Sequence, residues 1–286
     1  MHKDAFYSHN LLILVQTVLL ADVDSRLALS GPFNDEPAFV ISPDLLYADD
    51  TIILGNDAHR VQAHFSILVD EGRKYGLELN AAKTIMMQVN HNSRICHTSG
   101  EAIKIVDEAV YLGGLLTSTA NARPELTRRL GEARSVFRKL RQCWNHANIS
   151  LKRKVELHQS IVLPKLLYNL ESLWLNQDGK CRLNAFHVKC LRQICRIAPS
   201  FISRVPNAEV YKLTGRILLS TLLETQQVKL YRSIVHMPEN SVIRQLICEP
   251  NSVHPKVRDA DRKRGRPKQQ WAAGVFRMAM LQGVIW

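Results

Sequence analysis

The stretch Leu45-Leu46-Tyr47-Ala48-Asp49-Asp50-Thr51-Ile52-Ile53-Leu54 narrows the possible folds most. Two apolar runs of strand length flank a polar tip, which predicts an antiparallel hairpin. Such a hairpin buries one face of each run and leaves Asp49 and Asp50 side by side at the bend. Adjacent ionised carboxylates repel each other, and each disfavours the charge on its neighbour unless a cation lies close by. The pair therefore fits either an Asp-rich turn or a divalent-cation ligand set, since Mg2+ takes oxygen ligands. The tetrapeptide alone does not separate these two readings.

The surrounding pattern predicts mixed structure in the first part of the chain. Residues 9–27 read as a buried helix, and its apolar run Leu11–Leu20 is too short to span a bilayer. Residues 38–41 and 44–54 read as strands. Val61, Phe65, Leu68 and Val69 fall on one helical face that stops at Gly76, a C-cap candidate. Ile85–Val89 reads as a strand, and residues 103–105 and 110–112 as a short strand pair before Gly113-Gly114. Helices mixed with a largely antiparallel sheet give an α+β class.

From about residue 122 the chain reads as helical. Leu126, Leu130, Ala133, Phe137, Leu140 and Trp144 recur at intervals of three and four, and Arg128, Arg134, Arg138, Lys139 and Arg141 fall opposite. Ser150 is an N-cap candidate for the next helix, which Pro164 should kink or divide. Leu183, Phe186, Cys190, Leu191 and Ile194 mark a third helix, and another follows at 218–236. Three segments result: 1–116, 117–249 and a basic linker and tail at 250–286.

Charge is divided along the same line. Residues 1–122 hold 8 Lys/Arg and 15 Asp/Glu, a net −7, whereas residues 123–286 hold 30 and 11, a net +19. A surface of the second kind attracts phosphate backbones without reading sequence. The six cysteines include no Cys-x-x-Cys, so a reducing compartment fits best. Cys181, His187, Cys190 and Cys195 match no common zinc spacing and read as buried thiols with one hydrogen-bonded His. The expected location is intracellular, nuclear or cytoplasmic, with no membrane partner.

Three motifs in order resemble the reverse transcriptases of non-LTR (LINE-type) retrotransposons. Tyr47-Ala48-Asp49-Asp50 resembles their catalytic hairpin, motif C. Gly76-Leu77-Glu78-Leu79-Asn80-Ala81-Ala82-Lys83-Thr84 resembles motif D. Val110-Tyr111-Leu112-Gly113-Gly114 resembles their primer-grip motif. The likeness covers residues 5–200, and more loosely Gly265-Arg266-Pro267 with Trp271. It implies a partial palm followed by a helical thumb, and two-metal RNA-directed DNA polymerisation in the intact family.

The resemblance also implies roles. Asp49 and Asp50 would hold Mg2+ or Mn2+, and Lys83 would protonate the leaving pyrophosphate. Tyr47, Asn80, Tyr111, Leu112, Gly113 and Gly114 would lie along the nucleotide and primer. Arg128, Arg134, Arg138, Arg141, Lys152 and Arg153, with Arg264 and Arg266 in the tail, would contact the backbone of an RNA template and DNA primer. Lys263–Lys268 reads as a basic linker, with an AT-hook as the alternative.

Residues 7–20 resemble the motif B helix, and no counterpart of the family's motif A Asp is found. Asp22 and Asp24 follow that helix and do not replace it. The expectation is that these 286 residues hold metal weakly and do not polymerise alone, the missing part being supplied by a longer product. The alternative is a non-catalytic nucleic-acid-binding protein derived from such an element.

Overall fold

The computed structural model describes residues 15–27, 44–47, 50–146, 148–256 and 270–283. The architecture is α+β, as the sequence predicts. The strands form three separate two-stranded ladders rather than one sheet. The chain divides into two compact units: residues 1–109 with 117–119, and residues 110–116 with 120–286.

In the first unit, helix α1 covers residues 15–27 and exposes one face. Leu19 and Val23, one turn apart, are its buried side chains, so the helix is amphipathic rather than buried all round. Strands β1 (Asp44–Tyr47) and β2 (Asp50–Ile53) pair antiparallel, with Tyr47 opposite Asp50 and Leu45 opposite Ile52. Helix α2 (Ala58–Lys74) starts at Asp57, whose carboxylate accepts from the His59 N–H at 2.9 Å. It ends in a Schellman motif: Gly76 lies at φ +73°, the Leu77 N–H reaches the Gly72 carbonyl, and the Gly76 N–H reaches that of Arg73. Phe65 and Val69 of α2 pack with Ile95 and Ile103, and Ile53 of the hairpin joins this cluster.

The strand predicted over 85–89 is much shorter. β3 is Ile85–Met86 and pairs in parallel with β4 (Lys104–Ile105). The partner offers two residues, and Asn90 at φ +54° then turns the chain. β5 (Glu108–Tyr111) and β6 (Gly114–Thr117) pair across a two-residue turn.

The second unit is helical. α3 (Ala122–Lys139) is capped by Asn121, whose side chain accepts from the Arg123 N–H. The short α4 (Arg141–Asn145) carries Trp144, which is buried and stacks on Phe137 with centroids 5.0 Å apart. α5 (Leu151–Leu157) starts at Ser150, which accepts from the Arg153 N–H. A π-helical turn, His158–Val162, then leads into α6 (Leu163–Leu167). Pro164 explains this wide turn, because its ring has no N–H and crowds the carbonyl four residues back.

α7 (Gln177–Ile194) buries Leu183, Phe186, Cys190, Leu191 and Ile194. With α3, α5 and α6 it closes a core around Leu126, Leu130, Leu166 and Leu170. Two short helices follow, α8 (Ser200–Ser203) and α9 (Asn207–Thr214). α10 (Leu219–Val235) then packs on α7. After α11 (Val242–Ile247), α12 (Trp271–Leu281) docks on α10 through Val275, Ala279, Val228 and Tyr231. Gly274 permits that docking, because a Cβ there would lie 2.4 Å from the Trp174 ring. No described helix is long and apolar enough to cross a membrane.

Candidate functional site

Strand alternation fixes what the β1–β2 hairpin presents. Ile53 faces the Phe65–Val69 cluster, so Asp50, an odd number of residues away, points to the other face. Tyr47, directly opposite Asp50, shares that face. Both side chains are exposed, Tyr47 by 63%. Ala48 and Asp49 lie outside the described residues. Among those described, no group of three His, Cys, Asp or Glu side chains converges to hold a metal. Asp22 is engaged elsewhere, accepting a hydrogen bond from the Tyr75 hydroxyl.

The Gly-Leu…Asn…Lys-Thr spacing has a local physical basis in the same unit. Gly76 ends α2 as described. Asn80 then organises the next turn: its backbone carbonyl accepts from the N–H groups of Lys83 and Thr84 and from the Thr84 hydroxyl. Its side-chain oxygen also accepts from the Lys83 N–H at 3.2 Å. Lys83 is thereby held at a defined place on the loop with its ammonium exposed. No hydrogen bond or ion pair joins Lys83 to Asp50 among the described residues.

The Tyr111-Leu112-Gly113-Gly114 turn belongs to the second unit. Leu112 (φ +46°) and Gly113 (φ +74°) both adopt left-handed backbone, the geometry of a type I′ hairpin turn. Gly113 takes that conformation without strain, whereas Leu112 does not. Two carbonyls of the turn are tied down. The Tyr168 hydroxyl donates to the Leu112 oxygen at 2.8 Å, and the Arg128 guanidinium donates to the Gly113 oxygen at 2.6 Å. Arg129 also donates to the Gly113 oxygen, and its guanidinium lies 4.6 Å from the centre of the Tyr168 ring. Gly114 lets the Asn169 amide approach closely: a Cβ there would lie 2.2 Å from it, so the amide would have to shift.

Arg128, expected along the nucleic-acid backbone, is engaged within the protein. It pairs with Glu125 at 2.8 Å and Glu132 at 2.9 Å, and it is 26% exposed. The Glu125 hydrogen bond holds its guanidinium above the usual arginine value. Glu125, Arg129 and Tyr168 complete this cluster, and the sequence reading passed over all three. The one local signal was the Glu125-Arg128-Arg129-Glu132 spacing of three and four on a helix.

The other predicted cations behave differently. Arg134, Arg138, Arg141 and Lys152 are exposed and have no hydrogen-bond or ion-pair partner among the described residues. Arg153 makes one exposed pair with Glu156, at 3.1 Å. α3 and α7 pack together, and the buried Cys190 thiol, pushed up to about 12 by burial, feels both Lys189 and Arg134. Those two cations therefore stand along one seam of the unit. Arg264 and Arg266 lie outside the described residues.

His187 also departs from expectation. It is buried, but its Nδ1 has no hydrogen-bond partner. It stacks on His158 at 5.4 Å, and both ring nitrogens of His158 are likewise unpartnered. Burial first, and then the neighbouring His187 and Arg216 charges, lower the His158 pKa to about 3. Burial and Arg216 lower that of His187 to about 4. Both rings are therefore neutral at physiological pH.

Against known proteins, the chain is 28% identical over 159 residues to an uncharacterized transposon-derived protein of Caenorhabditis elegans. The match covers 54% of this chain and 57% of that protein, little more than half of either. No family model matches the chain.

Proposed function

We propose that this chain derives from a transposon, is part of a non-LTR retrotransposon reverse transcriptase, and acts through its helical unit as a grip on nucleic-acid backbone. The observation that carries this reading is the contrast in pairing on α3 to α5. The acids Glu125 and Glu132 are taken up by Arg128 and Arg129. Arg134, Arg138, Arg141 and Lys152 remain exposed and unpaired among the described residues. Unpaired cations on rigid helices gain most from neutralising phosphates and releasing their counterions. The transposon-derived relative and the three ordered motifs support the same origin.

Within this reading, Asp49 and Asp50 are the pair assigned to Mg2+ or Mn2+, Tyr47 stands opposite Asp50 in the hairpin, and Lys83 is the cation of the nucleotide loop. The activity proposed for the helical unit is binding of an RNA–DNA hybrid.

The test measures binding of the full chain to a labelled RNA–DNA hybrid across a salt series. The triple substitution Arg134→Gln, Arg138→Gln, Arg141→Gln should lower the log–log salt slope by about 2.7, at roughly 0.9 per lost phosphate contact. An unchanged slope would overturn the assignment of these residues.

A further inference from the structure

α10 carries a second cationic surface that the motifs do not touch. Its apolar side, Leu219, Leu223, Val228, Tyr231 and Ile234, is buried against the unit. Its exposed positions are Thr221, Thr225, Lys229, Arg232 and Ser233, with His236 at the C-cap. This row contains hydroxyls and bases but no acid. The helix's own acid, Glu224, is held at 2.6 Å by Lys180 and lies off the row.

Donor direction identifies which groups can meet a ligand. The Thr225 and Ser233 hydroxyls donate inward to the carbonyls of Thr221 and Lys229. The His236 Nδ1 lies 2.8 Å from the Arg232 carbonyl and must donate to it, since a carbonyl only accepts. The outward donors are therefore the Lys229 ammonium and the Arg232 guanidinium, and neither has an ion-pair partner among the described residues. Lys229, Arg232, Ser233 and His236 share one open stretch of surface along the helix.

We infer that this face of α10 is a second phosphodiester-binding site, contacting nucleic-acid backbone independently of α3 to α5. The inference rests on the nucleic-acid reading above. A guanidinium and an ammonium one helical turn apart, with no acid beside them, suit adjacent phosphates, one by a planar fork and one as a point charge. From Lys229 to Arg232 the helix rises about 4.5 Å, at 1.5 Å per residue, between one and two phosphate steps of about 3.4 Å measured along a duplex axis. Contacts made to phosphates alone carry no sequence preference.

The experiment compares full-length wild type, Lys229→Gln/Arg232→Gln, and the charge-keeping Lys229→Arg/Arg232→Lys on one labelled 20-base-pair duplex across a salt series. The glutamine variant should lower the salt slope by about 1.8 and weaken binding on the order of 50-fold at 0.1 M salt, from roughly 0.9 per contact. The charge-keeping variant should retain the wild-type slope, and circular dichroism on all three controls for folding. A glutamine variant with the wild-type slope overturns the α10 site, while the parent reading stands if wild type binds and the α3–α4 triple variant does not. Absence of wild-type binding overturns both. Equal binding of poly-glutamate, lost in the same glutamine variant, would assign the face to acidic proteins and overturn the phosphodiester inference.

Discussion

Within α3, Arg128 and Arg129 reach back to Glu125, forward to Glu132 and across to the Gly113 carbonyl, and Arg129 is 3% exposed. About one and a half and two and a half turns later, Arg134 and Arg138 stand in solvent with no partner among the described residues. The residue type and the helix are the same. The difference lies in what faces each position. Arg128 and Arg129 meet a hairpin turn that supplies carbonyls and a tyrosine ring, and they are fixed there. Arg134 and Arg138 find no such partner among the described residues and face solvent. Counting basic residues along a helix thus overstates a binding surface by those it uses to hold itself together.

The most severe test of this comparison is Glu125→Ala. Glu125 is 1% exposed and Arg129 3% exposed, so removing the carboxylate leaves a buried cation with only the longer Glu132 contact at 3.4 Å. We expect a loss of about 3–5 kcal/mol in denaturant unfolding, the usual cost of breaking a buried pair from one side. Arg138→Ala should change stability by less than about 0.5 kcal/mol, as surface substitutions do. Equal effects at the two positions would erase the distinction.

Acid provides the second test, on buried polar groups that lack partners. The folded-state values of His158 and His187, about 3 and about 4, lie below the ordinary histidine value. As pH falls, the unfolded chain takes up protons first, so stability is lost below about pH 6.5 and keeps falling until the folded values are reached. At pH 5 the two rings together should cost about 4 kcal/mol relative to pH 8, through 1.36 kcal/mol per pH unit for each. The double substitution His158→Leu/His187→Leu should flatten that slope. An acid profile identical to wild type would show that the cost lies elsewhere.

Much of this arrangement is legible in local sequence, and the exceptions share one cause. Gly76 and Ser150 are readable as caps because capping involves neighbours within four residues. The buried faces of α3, α7 and α10 follow from their 3.6-residue period. The β1–β2 register follows from the apolar runs around Tyr47 and Asp50. The fixed state of Arg128 is not readable in this way, because Gly113 and Tyr168 lie 15 and 40 residues away and meet it only in the folded unit. The His158–His187 stack is hidden for the same reason, its rings coming from the π turn and from α7. The 85–89 strand fails because its length depends on a partner that offers only two residues.

The finest test removes one atom. Tyr168 is 52% exposed, and its hydroxyl donates to the Leu112 carbonyl at 2.8 Å. Leu112 has a positive φ that glycine would tolerate without strain, so its conformation is held by surrounding contacts. Tyr168→Phe keeps the ring under the Arg129 guanidinium and deletes the hydroxyl alone. The expected loss is about 0.5–1.5 kcal/mol, the net worth of one hydrogen bond. Amide exchange at Leu112 and Gly113 should rise, while exchange in the α7 core should not change. If the turn stays equally protected, Arg128 and Arg129 hold it without Tyr168, and the arginine half of the comparison becomes stronger. If the turn opens, the tyrosine shares the work. In that case the Tyr111–Gly114 pattern is set by packing against α3 and residues 168–169, before any ligand is considered.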